Sequence, residues 1–329
     1  MNIIKTFLFV SLTLVFGLDS YSQVSNFKII ESGRVVIPDE VFIGEVTFLD
    51  KKNQNLLLTD ITLGQVLYYD KDDWAKLNPE DCHPGFRFFP IEAHFGDEEI
   101  FISNSGIWGF RYTNDAKCIG AAHRDFRAPQ RFYSGEKIYG LSNDPNKTIV
   151  KEWSSEGKFL NTIYSFDNKF PSAEYRLSLG GILESDGNLY FVNSLEPKIF
   201  KIELDTGKKD SKIFEHKSYS EAEKDLPRDI KTPKFMMEAG KLVRTYSMNY
   251  RLFNFNKELM TLVVRGDGEG GKFGYHCYFF SKETLKLEGH LQINNRVVYI
   301  GEESIVYVNR KNIDEEKEKI SLVFNRVLK

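Results

Sequence analysis

Short apolar runs, each preceded by a polar turn and closed by Asp, Asn or another polar residue, recur along the whole chain. They start at Leu56 (LLLTD), Ile100 (IFISN), Ile138 (IYGLSN), Leu189 (LYFVNS), Leu242 (LVRTYS) and Ile305 (IVYVNR), 38 to 63 residues apart. Runs this short and this rich in β-branched and aromatic residues are strand signals. A recurrence of about 40–50 residues is the period of a propeller blade. Turn residues stand before each run, at Lys51 to Asn55, Gly96-Asp97-Glu98, Ser134-Gly135-Glu136, Ser185-Asp186-Gly187, Ala239-Gly240 and Gly301-Glu302-Glu303, where tight β-connections need them. A further strand follows each run, as in QVLYYD (65–70) and KIFKIEL (198–204), and in most repeats a polar turn then opens a fourth. The expected fold is therefore all-β, a six-bladed β-propeller of four-stranded antiparallel blades.

The sixth repeat stops after its third strand, while FKII (27–30) and RVVIP (34–38) precede the first repeat unclaimed. An N-terminal strand completing the last blade would close the ring and remove its open edge. Two segments stand outside the pattern. Tyr275 to Ile293 reads as an inserted hairpin, the alternative being a degenerate seventh blade, and Glu215 to Pro233 reads as a polar surface loop with a single helical turn.

Residues 1–22 have the layout of an export signal. Lys5 is followed by an apolar stretch from Thr6 to Leu18, and Ser20 and Ser22 flank Tyr21 before Gln23. The stretch is shorter than the roughly 20 residues of a spanning helix, so stable membrane insertion after cleavage is not expected; a retained anchor is the alternative. The reading is a signal peptide at 1–22, one propeller domain at 23–329, and a periplasmic or secreted location. The net charge of −3 lacks the basic excess of a nucleic-acid surface. Three cysteines, Cys82, Cys118 and Cys277, allow at most one internal disulfide, whose pairing spacing does not reveal; three reduced buried thiols are the alternative.

The blade pattern in LLLTDITLGQVLYYDKDD and NLYFVNSLEPKIFKIELDTGK resembles that of NHL-like and TolB-like six-bladed β-propellers, with exported bacterial members the nearest. GDGEGG (266–271) is similar to the G-x-G-P-G-E turn that joins blades in that group, without the Pro. The resemblance spans the mature chain and implies fold more than activity, since the group includes binding scaffolds, lyases and lactone hydrolases. The hydrolases hold a divalent cation through oxygen ligands collected from several blades, an arrangement that spacing does not reveal.

Direct chemical motifs are sparse. GDGEGGK approaches a phosphate loop, but β-type residues follow it and Phe273 stands where Ser or Thr is required. The six histidines show no metal spacing, and neither C-x-x-C nor G-x-S-x-G occurs. No cofactor is expected, with a divalent cation as the alternative. Asp60, Asn104, Asn143, Asn193 and Asn309 close the runs and are best read as turn-shaping side chains.

The most suggestive set is a basic residue at the start of five of the expected innermost strands: Arg87, Arg131, Arg176, Lys234 and Arg296. Equivalent positions would form a ring at one mouth of the channel and attract an anion, with Arg forming bidentate contacts; inter-blade salt bridging is the alternative. His123 and Tyr175 lie in the same loops and complete the expected ligand-binding set. The function read from the sequence is a binding or scaffold protein recognising a small or polymeric, anionic ligand or a protein partner. The alternatives are a metal-dependent lactone hydrolase or lyase acting in the channel, and a structural subunit of an envelope assembly.

Overall fold

A computed structural model describes residues 25–38, 41, 43–70, 73–77, 82, 90–96, 98–104, 109–121, 130–134, 137–144, 146–177, 180–227, 232–267, 273–312 and 318–328. The expected export segment lies outside these. Two N-terminal strands, β1 (Ser25–Asn26) and β2 (Lys28–Val36), precede the blades. Blade one is β3 (Val46–Lys52), β4 (Asn55–Asp60), β5 (Gln65–Asp70) and β6 (Asp73–Leu77). Blade two is β7 (Pro90–Phe95), β8 (Glu99–Asn104), β9 (Gly109–Thr113) and β10 (Cys118–Ala121). Blade three is β11 (Gln130–Ser134), β12 (Lys137–Asn143), β13 (Lys147–Ser154) and β14 (Phe159–Asp167). After helix α1 (Pro171–Leu177), blade four is β15 (Gly181–Ser185), β16 (Asn188–Val192), β17 (Lys198–Glu203) and β18 (Lys209–Ile213). Helix α2 (Thr232–Thr245) precedes blade five: β19 (Met248–Asn254), β20 (Leu259–Asp267), β21 (Phe273–Ser281) and β22 (Leu287–Ile293). Blade six is β23 (Val297–Gly301), β24 (Ser304–Asn312), β25 (Glu318–Leu328) and, as its outermost strand, β2.

The result is a six-bladed β-propeller. The first strands pack against one another, β3 on β7, β11 on β15, β15 on β19, β19 on β23 and β23 back on β3, which makes them the inner wall of the ring. They begin on one face, where the inter-blade connections arrive, and end at hairpins on the other. The turns Asp186-Gly187 (φ 52° and 72°) and Glu302-Glu303 (φ 51° and 58°) have both central residues left-handed, the geometry that matches strand twist in two-residue hairpins. Closure is as expected: β2 pairs antiparallel with β25 from Lys28↔Leu328 to Val36↔Ser321. In addition, β1 lies parallel to β22, and Phe27 between the two N-terminal strands stacks on Phe279 of blade five at 4.2 Å. One short segment thereby fastens two blades.

Apolar side chains fill the spaces between blades, because the sheets twist face to face and both faces must be covered. Leu57, Val66 and Tyr68 of blade one meet Ala93, Ile102 and Tyr112 of blade two. Leu183, Tyr190 and Ile199 of blade four meet Leu262, Tyr278 and Phe280 of blade five. Gly181 sits where β15 approaches β19 so closely that a Cβ would lie 2.4 Å from the Leu252 nitrogen. Cys82 and Cys118 form a disulfide (Cα–Cα 5.3 Å) that ties the connection between blades one and two to β10. Cys277 is free and buried, with burial raising its thiol pKa, which makes it an inert packing group.

Three expectations are corrected in blade five. LVRTYS is not a strand: Leu242 to Thr245 is the last turn of α2, with Ala239 and Leu242 buried against Phe170, Ala173 and Leu226. Four residues do not separate a period of 2 from one of 3.6. Tyr275 to Ile293 is neither an insertion nor a seventh blade, but the outer half of blade five, whose innermost strand is β19. Within Glu215 to Pro233 the described residues 215–227 contain no helix, and α2 enters only at Thr232. GDGEGG joins β20 and β21, which pair up to Asp267↔Phe273 within one sheet, so it is not an inter-blade turn; residues 268–272 lie outside the described set.

Candidate functional site

The inner wall carries a row of charged side chains unusual for buried strands. Glu92 on β7 is 3% exposed and forms an ion pair with Arg251 of β19. Its other oxygen lies 3.1 Å from Nε2 of His94, whose Nδ1 lies 3.8 Å from Asp50 of β3. Asp50 in turn accepts the backbone N–H of Phe95 at 2.8 Å and of Lys51 at 2.9 Å. Burial raises the Asp50 pKa, against the opposing pull of His94 and those N–H groups. The pairs i and i+2 (Phe48 and Asp50, Glu92 and His94) point to one side of their strands because side chains alternate. Phe48 packs at a tilt beside His94, ring centroids 4.7 Å apart, and the Arg251 guanidinium lies over Phe48 at 4.1 Å.

This row walls a cavity of about 320 Å³ on the axis, closed further by Phe253, Tyr299 and Glu302. Glu302 belongs to the left-handed turn after β23, so the cavity reaches the hairpin face. Burial, with Asp50 and Glu302 nearby, raises the Tyr299 pKa and keeps its phenol protonated. Aromatic walls with fixed carboxylate, imidazole and guanidinium groups make a small-molecule recognition site. The donors do not suit a metal. Arg251 holds one Glu92 oxygen and His94 the other, and among the described residues no group of three or more His, Cys, Asp or Glu is arranged around a cation position.

The expected residues whose side chains are described, Tyr175, Lys234 and Arg296, do not line this cavity. Arg87 and His123 lie outside the described residues. Arg131 is on the innermost strand β11 as expected, with its side chain outside the described set. Arg176 and Tyr175 are on α1, not on a strand; Tyr175 is 51% exposed. Lys234 is exposed on α2. The equivalent-position ring therefore does not form at Arg176 and Lys234, because helices stand where strands were expected. Arg296 does stand at the loop-face end of an innermost strand. It pairs with Glu45 and donates to the Tyr250 hydroxyl at 2.7 Å, while its buried Nε has no partner among the described residues. Burial and the nearby Arg310 push its pKa down to about 10.

Asp50, Glu92, His94 and Arg251 were missed. Their signal was present: charged residues at alternate positions inside strands otherwise apolar, as in PIEAHF (90–95). The turn-shaping reading holds at Asp60, whose carboxylate accepts the N–H groups of Gly44, Glu45, Thr62 and Leu63.

No protein-family model and no curated protein matches the chain. Among solved structures, a Bacteroides fragilis protein named as a candidate exported protein aligns over 93% of this chain and 97% of its own, at 12% identity and a TM-score of 0.58. U3-55K aligns over 84% of this chain and 77% of its own, at 8% identity and a TM-score of 0.52. At such identities the likeness is one of fold. No helix among the described residues is long and apolar enough to cross a membrane.

Proposed function

We propose that this chain is an exported β-propeller that binds a small polar ligand in the axial cavity and holds it without covalent chemistry. The observation that carries the reading is the Asp50–His94–Glu92–Arg251 row beside Phe48 and Tyr299. Burying four ionisable groups on the inner wall is costly for folding alone, and a recognition site is the usual return. The carboxylates of Asp50 and Glu302 favour a ligand that presents hydrogen-bond donors, while the aromatic rings suit its apolar face. The export-signal layout, the likeness of the blades to NHL-like and TolB-like propellers and the fold of the Bacteroides fragilis protein support export.

A thermal-shift screen of the chain from Gln23 to Lys329 against monosaccharides, disaccharides, amino acids and diamines tests the proposal. A stabilising compound should lose its effect in Asp50→Asn and His94→Gln; equal shifts in both variants would refute axial binding. A second reading, an anion held at the loop face, is favoured by Arg296 with its unsatisfied Nε and by Arg310 beside it. Phosphate or citrate protecting the wild type but not Arg296→Gln would support it.

A further inference from the structure

Residues 214–227 follow β18 on the loop face and are held at several places, by buried Phe214, Ala222 and Leu226, by the Tyr219 hydroxyl on Leu195 and Asn249, and at two further points. Asp225 accepts the N–H groups of Ser172 and Ala173 at 2.9 and 2.8 Å, capping α1. The second place is a knot of three histidines that the axial site does not use. Ser218 Oγ lies 2.6 Å from Nδ1 of His216, 2.7 Å from the Tyr278 hydroxyl and 3.3 Å from Nε2 of His290. That same Nε2 lies 3.0 Å from Nδ1 of His276, and the His216 and His290 rings lie 4.3 Å apart. His276 and Tyr278 come from β21 and His290 from β22, so the knot fastens the crossing segment to the outer strands of blade five.

The hydrogen bonds specify protonation states. The Ser218 N–H donates to Nδ1 of His216 at 3.2 Å, so that nitrogen carries a lone pair, and a protonated His216 would point a donor at a donor. Between His276 and His290 one nitrogen donates and the other accepts, so the two rings cannot both be cations. The charged group Lys217 stands beside them and adds repulsion to any proton taken up.

We propose that this knot is an acid-sensitive latch: protonating His216 and His290 releases residues 214–220 from blade five while the six blades remain folded. Release opens the cleft of about 500 Å³ that Ser218, Tyr246, Ser247 and His276 line. Burial, with His216, His276 and Lys217, pushes the His290 pKa down to about 3, and burial also lowers that of His216. A histidine depressed in the closed state stabilises it fully above the ordinary value of about 6.5, and that contribution is lost as pH falls from there toward the closed-state value.

Hydrogen exchange of the wild-type chain at pH 7.5 and 5.0, corrected for intrinsic rates, tests the latch. The amides of Ser218, Tyr219 and Ser220 are expected to lose protection about thirtyfold at pH 5.0, the factor by which an open-state His290 of ordinary pKa outcompetes the closed one. Leu57 and Leu58 of blade one should hold theirs. His290→Gln should flatten the dependence; should that variant not fold, NMR titration of the wild-type histidine ring protons reads the same depression directly. Equal protection at both pH values, loss in step with Leu57 and Leu58, or His216 and His290 titrating near 6.5 would overturn the proposal.

Discussion

His94 and His290 are both held inside the propeller by side chains from neighbouring strands, yet their surroundings carry opposite charge. His94 stands between the carboxylates of Asp50 and Glu92, with Arg251 balancing the row. His290 meets two other imidazoles and the nearby Lys217. The first arrangement is compensated and belongs to six blades packed edge to edge. The second tolerates little added charge and sits under the segment that follows β18 of blade four. Under the proposed reading, the blades supply the wall for recognition, whereas the crossing between blades four and five is the part that responds to pH.

The largest effect is expected from breaking the compensation. Arg251→Ala leaves Glu92 buried without its cation and should cost about 3–5 kcal/mol in denaturant unfolding, whereas Arg251→Met combined with Glu92→Leu should recover most of it. A small loss for the single variant would mean that the row is not integral to the wall.

Helix α1, which the crossing caps through Asp225, sharpens the comparison through its Glu174. This fully buried carboxyl accepts the N–H groups of Ser194 and Leu195, and burial raises its pKa to about 7. Because the folded value exceeds the unfolded one, its contribution is complete below about pH 4.5 and lost as pH rises through 7, amounting to about 3 kcal/mol. The sense is opposite to that of the histidine knot. Glu174→Gln should flatten this decline when urea unfolding is compared at pH 4.5 and 7.5; an unchanged slope would place the pH dependence elsewhere.

The smallest effect concerns the mouth of the cavity. Glu302 and Glu303 both adopt positive φ, a strain that glycine avoids. Glu303→Gly should raise stability by about 0.5–1 kcal/mol and leave the axial row intact, which calorimetric melting would show.

The fold was legible because alternating runs and hairpin turns are local, and because the unclaimed strand at Lys28 to Val36 had one open place to go. Blade five was misread since LVRTYS fits a helix turn as well as a strand, and its burial on Phe170 and Leu226 is a tertiary fact. The candidate site was harder. Asp50, Glu92, His94 and Arg251 come from three blades, and only the ring brings positions 159 residues apart into an ion pair. The basic residues that did attract notice shared a sequence context, but Arg176 and Lys234 sit on helices.

Hydrogen-exchange footprinting of the mature chain with and without a stabilising compound from the screen tests the central claim most directly. The account predicts added protection at Leu49, Ala93 and Leu252, which lie on the innermost strands beside the axial cavity. Protection confined to α1, α2 and the loop face, with these three amides unchanged, would contradict it.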